Sequence, residues 1–393
     1  MNDQAPRRLS EDLERIRVGV ARVCASFPAE YWRKADETGC FPQAFVDSMT
    51  AGGWLGVAMP VELGGSGLGL TEAAVMMQAV AESGAGFSGA SAMHLNIFGP
   101  MPLVKFGSTN QKQRHIPRLI SGEDRMCFGV TEPDAGLDTT NLTTRAVRQG
   151  SGGYVISGRK MWTSNAQQAN KILIIARTTP KDQVKRPTEG LSLFYTDFDR
   201  RRIDARPIPK MGRKAVESNA VFIDQLEVPA EDLVGEEGRG FYYLLEGLNP
   251  ERVLIGAEAI GLGRAALARA VSYAKERVVF GRPIGQNQGV AHPLARCWME
   301  LEAANLMVFK AAALHDGGRE CGAEANAAKY LGGEAGFNAC ETAVMTHGGM
   351  GYAKEYDVER YMRESMIARL APVSREMIFN YVAERVLGLP KSY

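Results

Sequence analysis

The hydrophobic period of this 393-residue chain changes twice, which divides it into three stretches of different local structure. From Ser10 to about Gly122, apolar residues recur at three- and four-residue spacing in LSEDLERIRVGVARVCASF, FPQAFVDSMTAGG, TEAAVMMQAVAES and TNQKQRHIPRLIS, with Ser10, Thr71 and Thr109 placed to cap helices. Beyond Arg125 come short β-rich runs: MCFGV, TTRAVRQ, GYVISGRKMWTS, KILIIARTT, LSLFYTDF and NAVFIDQLEV, separated by Gly-rich and charged turns. After Gly235 long helical patterns return, over roughly 241 to 248, 250 to 279, 289 to 316, 321 to 347 and 372 to 388, and their short connections predict an antiparallel bundle. The expected fold is a multi-domain α and β chain: an N-terminal helical domain (1–124), a middle antiparallel β-domain (125–235) and a C-terminal helical bundle (236–393).

Charge excludes some functions. Basic and acidic side chains number 46 and 45, so no global field favours nucleic acid or a membrane surface as a partner. The polar start MNDQAPRRLSEDLERIR lacks a signal-peptide core, and no run approaches the roughly 20 apolar residues that cross a bilayer, so a soluble cytoplasmic protein is expected. Six cysteines without CxxC and five histidines without HxxxH or HExxH predict buried reduced thiols and no metal site. The Gly-rich ELGGSGLGL (62–70) follows no strand and fits no phosphate-loop spacing, so it reads as a loop. TTPKDQVKRPTEG reads as an exposed connection, and the small residues of AEANAAKYLGGEAG permit close helix approach.

LNPERVLIG poses a choice. Asn249 as N-cap, Pro250 in the first helical position and Glu251 in the first turn make a complete helix start. The same carboxylate is also a candidate base. Two other stretches, FGVTEPDAGLD (128–138) and KMWTSNAQQAN (160–170), crowd hydroxyls, backbone N–H groups and a Trp at strand ends; taken singly, each reads as a structural turn.

Together with FGSTNQKQRHIPRLISGE, YAKERVVFGRPIGQNQG and THGGMGYAKEYDVERYMRE, and in that order, these motifs resemble the acyl-CoA dehydrogenase family over nearly the whole chain. The resemblance implies a C-terminal four-helix bundle, FAD at subunit borders of a homotetramer or homodimer, and electrons passed to an electron-transfer flavoprotein. It implies that Phe128, Val130 and Thr131 line one side of the flavin ring and Trp162 and Ser164 the other. Arg277, Phe280, Gln288, Gly348 and Gly349 would meet the ADP half of FAD in the neighbouring subunit, and Ser374 stands where the family often has a flavin-contacting Thr. Two positions depart from the pattern: Gly136-Leu137-Asp138 replaces Gly-Ser-Asp, and Met345 replaces a Gln.

The reaction implied is α,β-dehydrogenation of an acyl-CoA thioester to a trans-2-enoyl-CoA: a carboxylate removes the α-proton as the β-hydrogen leaves as hydride. Most of the family carry that Glu in the frame matched here by RESMIARLAPVSRE, where it falls on Pro372. A minority, including isovaleryl-CoA and some long-chain enzymes, place it at the start of the bundle helix, which is Glu251 here, followed by Arg252 as a CoA-positioning residue. Burial by substrate must then outweigh the helix dipole, which lowers a carboxylate pKa. By resemblance the segment SAMHLNIFGPMPLVKFG lines the acyl end of the pocket, making His94, Ile97 and Phe98 candidate substrate contacts or core residues. Proline has no N–H for the thioester oxygen, so either Ala371 or Val373 donates or the oxyanion site is weaker. An acyl-CoA oxidase, an elimination on a substituted acyl-CoA, or an inactive helical scaffold are the alternatives.

Overall fold

The computed structural model describes residues 5–150 and 152–392. Seven helices lead: α1 (Ala5–Cys24), α2 (Ala29–Thr38), α3 (Gln43–Ala51), α4 (Leu70–Val80), α5 (Gly86–Phe98), α6 (Met101–Phe106) and α7 (Thr109–Ile120). Their caps differ from expectation. Helix α1 begins at Ala5 and runs through position 10, so the helix does not start after Ser10. Thr109 is the first helical residue of α7, and the cap is Ser108, whose hydroxyl accepts from the Gln111 N–H while the Gln111 side chain accepts from the Ser108 N–H. Thr71 lies inside the first turn of α4. There a carboxylate from the far end of the sequence does the capping: Asp316 accepts from the Leu70 N–H at 2.6 Å, the Thr71 N–H at 2.9 Å and the Thr71 hydroxyl at 2.6 Å.

The middle region forms an eight-stranded sheet of β1 (Met126–Gly129), β2 (Arg145–Arg148), β3 (Tyr154–Ser164), β4 (Lys171–Arg177), β5 (Leu191–Asp197), β6 (Ile203–Pro207), β7 (Ser218–Val228) and β8 (Leu233–Val234). The order is β6-β7-β3-β2-β4-β5-β8, with β1 beside β4. The sheet is mixed rather than wholly antiparallel, because β1 runs parallel to β4 and β2 meets β4 in parallel at Arg145 and Arg177. The physical cause is a long excursion: the chain leaves β1, builds β2 and β3, and returns to lay β4 in the same direction. All seven residues of β4 are buried, so this strand is covered on both faces.

The C-terminal region has three long helices, α8 (Gly240–Glu276), α9 (Gln288–Asp316) and α10 (Gly322–His347), with a hairpin of β9 (Val278–Val279) and β10 (Arg282–Pro283) between the first two. The fourth helix of the bundle is broken into α11 (Val358–Ser365), α12 (Ile367–Leu370) and α13 (Arg375–Tyr381) packed on α10. Helix α8 does not start at Pro250. It begins at Gly240 and runs through the proline, whose missing N–H releases only the carbonyl of exposed Glu246 to water. Glycines let α8 and α10 touch backbone to backbone: a Cβ on Gly332 would meet the Gly256 carbonyl at 2.7 Å, and one on Gly336 the Ala259 carbonyl at 2.4 Å. The small-residue stripe of α10 is thus spent inside this chain. Five of the six cysteines are buried thiols, and Cys40 is exposed. Among the described residues no helix is long and apolar enough to cross a membrane.

Candidate active site

Glu251 sits three turns into α8 rather than in its first turn, so the helix N-terminus exerts little pull on it. Burial pushes its carboxyl up to about 7, His94 and Arg252 oppose the shift, and Glu258 adds to it. Arg252 donates to the Asn249 side chain at 2.7 Å, while its Nε is buried without a partner among the described residues. Asn249 therefore orients this guanidinium instead of capping a helix. Burial pulls Arg252 down and Glu251 pulls it up, which places the two side chains in one electrostatic site.

Helix α5 brings His94 to the same place. Its Nδ1 lies 2.5 Å from Oε1 of Glu258, a fully buried carboxylate two turns beyond Glu251 and so on the same face of α8. Burial opposes charging of the imidazole, but Glu258 and Glu251 outweigh it and hold its pKa above the ordinary value. The ring packs against Phe98 with centroids 4.7 Å apart, and Phe98 meets Phe128 edge-on at 6.1 Å. Ile97 is buried core.

The strand-end motifs also converge. The Met161 N–H donates to the Thr131 carbonyl at 2.8 Å, joining the turn after β1 to the end of β3. A buried ion pair pins the same junction: Lys160 Nζ lies 2.9 Å from Glu132, whose carboxylate also accepts from the Thr143 N–H and hydroxyl and the Thr144 N–H. Burial alone would raise Glu132, yet Lys160 and these donors bring it down to about 2. Phe128, Val130 and Thr131 are half-buried, Ser164 accepts from Arg213 at 3.3 Å, and Trp162 is 57% exposed at a positive φ of 60°. Beside them Thr163 Oγ1 and Asn165 Oδ1 are buried and unpartnered among the described residues. An open Trp face next to orphaned polar atoms suits a planar heterocycle with polar edges, so these residues fit a flavin ring.

The residues expected at the ADP half lie elsewhere. Arg277 ends α8, about 39 Å along its axis from Glu251. Phe280 is fully exposed on the β9–β10 hairpin, and Gln288, Gly348 and Gly349 are exposed at the adjoining ends of α9 and α10. The Tyr273 ring stacks on His347 at 4.3 Å and ties the end of α8 to the end of α10. Within one chain, then, the two groups of residues form separate surfaces, and Met345 is exposed on α10 near the second.

The loop after α12 carries Pro372. The Ala371 N–H is already engaged by the Ile367 carbonyl at 2.9 Å, and the Ser374 hydroxyl caps α13 by accepting from the Met377 N–H at 3.3 Å. Buried Lys329 donates to the Val373 carbonyl at 2.7 Å. Burial brings this ammonium down to about 8, with Glu334 opposing. Sequence reading missed Glu132, Lys160, Arg213, Glu258 and Lys329. The first two lie in motifs already singled out, but nothing local marks them as partners. A separate cavity of about 310 Å³, lined by Val46, Leu55, Asn96 and Arg125, does not include Glu251, His94 or Trp162.

Three family signatures match in sequence order: acyl-CoA dehydrogenase N-terminal domain at residues 10–123, middle domain at 127–226 and C-terminal domain at 238–387. The chain is 39% identical over 394 residues to acyl-CoA dehydrogenase FadE12 of Mycobacterium tuberculosis, covering 98% of both. It is 32% identical to the caffeyl-CoA reductase-Etf complex subunit CarC of Acetobacterium woodii, covering 85% of this chain and 87% of that one. The solved structure of butyryl-CoA dehydrogenase from Megasphaera elsdenii superposes with a TM-score of 0.91 at 26% identity, covering 95% and 98%.

Proposed function

Because the chain belongs to the acyl-CoA dehydrogenase family, whose members are FAD flavoproteins acting on acyl-CoA, we propose that it converts an acyl-CoA thioester to the trans-2-enoyl-CoA with Glu251 as the base. The observation that carries this reading is the place of Glu251, half-buried on α8 next to Arg252 and on the same face as the His94–Glu258 pair, where desolvation raises its carboxyl to about 7. A base with that affinity can take a proton near neutral pH and hold it.

FAD, when bound, supplies the acceptor for the β-hydrogen. Phe128, Val130, Thr131, Trp162 and Ser164 would hold its ring, with Ser374 as a further contact, and the Glu132–Lys160 pair keeps the two ring-facing loops in register. Arg277, Phe280, Gln288, Gly348 and Gly349 would serve the ADP half across a subunit border, since their distance from Glu251 removes them from their own chain's site. Exposed Trp298, Met299 and Leu306 on α9 support a homo-oligomer. Arg252 orients the CoA thioester. Of the residues flanking Pro372, Val373 is the one left to offer an N–H to the thioester oxygen, because the Ala371 N–H is spent, and Lys329 anchors the same residue through the carbonyl on its other side. An electron-transfer flavoprotein is the proposed acceptor, a partner of the kind named in the related Etf complex.

Anaerobic mixing with an acyl-CoA series should bleach the flavin band, and Glu251→Gln should retain FAD and lose the bleaching. Wild-type rates in that variant would remove Glu251 as base. Oxygen uptake with peroxide release would identify an oxidase instead.

A further inference from the structure

The inner wall of the site is charged where a hydrocarbon tail would need it apolar. On α5, Ser91, His94 and Phe98 share one face, and opposite them α8 presents Glu251 and Glu258. His94 is 7% exposed, Glu258 is fully buried, and the Nε2 of the one and Oε2 of the other have no hydrogen-bond partner among the described residues. With Glu258 against Nδ1 and Glu251 close by, two carboxylates favour the imidazolium, so Nε2 carries a hydrogen with no acceptor among the described residues.

A second cation adjoins. Arg213 donates to the hydroxyls of Ser91 at 3.1 Å, Ser164 at 3.3 Å and Ser218 at 3.0 Å, and no carboxylate lies within ion-pair distance of it among the described residues. Glu258 acts on both Arg213 and His94, which places them in one polar cluster between the Glu251 face and Ser164. An unsubstituted tail against this wall would strip water from a charged N–H and return nothing.

We propose that the acyl group accepted here carries a hydrogen-bond-accepting oxygen on its chain, and that His94, oriented through Nδ1 by Glu258, donates its Nε2 hydrogen to that oxygen. The inference rests on the assignment of this site as the acyl-CoA site with Glu251 as base. Glu258 is a positioning residue, since it acts through the imidazole. Arg213 adds positive potential on the same side and favours an electron-rich oxygen.

The experiment compares butyryl-, hexanoyl- and octanoyl-CoA with their ω-hydroxy and ω-carboxy counterparts on the holoenzyme, reading anaerobic flavin bleaching and the dissociation constants of the corresponding enoyl-CoA products. At one chain length an oxygenated member should exceed its plain counterpart by at least about tenfold in kcat/KM and in product affinity. The hydroxy and carboxy arms tell a neutral oxygen from an anionic one. His94→Leu should erase or invert that ratio, and Glu258→Gln should weaken it. Retention of FAD absorbance shows that each variant is folded, and the wild-type ratio does not depend on either. Plain acyl-CoAs bleaching as well at every length, or a preference that survives His94→Leu, would overturn the inference while leaving the dehydrogenase reading intact. Failure of all acyl-CoAs to bleach the flavin would strike that reading first.

Discussion

Lys160 and Glu132 face each other across 2.9 Å in the interior, one from β3 and one from the turn after β1, and so lock together the two loops proposed to hold the flavin ring. Lys160→Met leaves a buried carboxylate with only its Thr143 and Thr144 donors. The expected cost is about 3 kcal/mol, measured by denaturant unfolding, with weaker FAD retention. The sign with pH is fixed: the folded Glu132 at about 2 lies below its ordinary 4.5, so the pair's contribution is whole above 4.5 and fades as pH falls toward 2. The variant's deficit should therefore shrink in acid.

The proposed base should show itself in the pH profile. Only ionised Glu251 can accept the α-proton, so kcat/KM should rise about tenfold per pH unit on the acid side and level off above about 7. Stability runs the other way. A carboxyl raised from 4.5 to about 7 binds its proton more tightly when folded, so wild type should lose stability relative to Glu251→Gln as pH climbs through that window. Parallel melting curves that do not diverge would contradict the raised proton affinity of Glu251.

Lys329→Met removes the ammonium from the Val373 carbonyl. A loosened loop should lower kcat by roughly tenfold or more, by analogy with loss of an oxyanion donor, with little change in substrate KM. Stopped-flow reduction rates at saturating acyl-CoA provide the measurement.

Asp316→Ala takes three hydrogen bonds from the start of α4, which packs on α8 and α9. Destabilisation of about 1 to 2 kcal/mol is expected in urea unfolding, and Asp316→Asn should recover part of it.

The placement of two motifs was legible because they are local. FGVTEPDAG and KMWTS lie at strand ends as their composition implies. The partners were not legible, since Glu258 is 164 residues from His94 and Lys329 is 44 from Val373, and no spacing rule links such pairs. The helix start at Asn249-Pro250 failed for a related reason. Cap propensity describes one turn, whereas the apolar and small-residue face of α8 is continuous from Gly240 to Glu276, and burying it against α4 and α10 outweighs one missing hydrogen bond.

The sequence by itself determined the three stretches, their element types and the chemistry on offer, because hydrophobic period and motif order are local properties. The tertiary structure decided the environment of Glu251. It removed the helix-end field by extending α8, surrounded the carboxylate with His94, Arg252 and Glu258 from two helices, and so let desolvation set its proton affinity. Burial depends on everything that packs around a group, and no single stretch of chain contains that information.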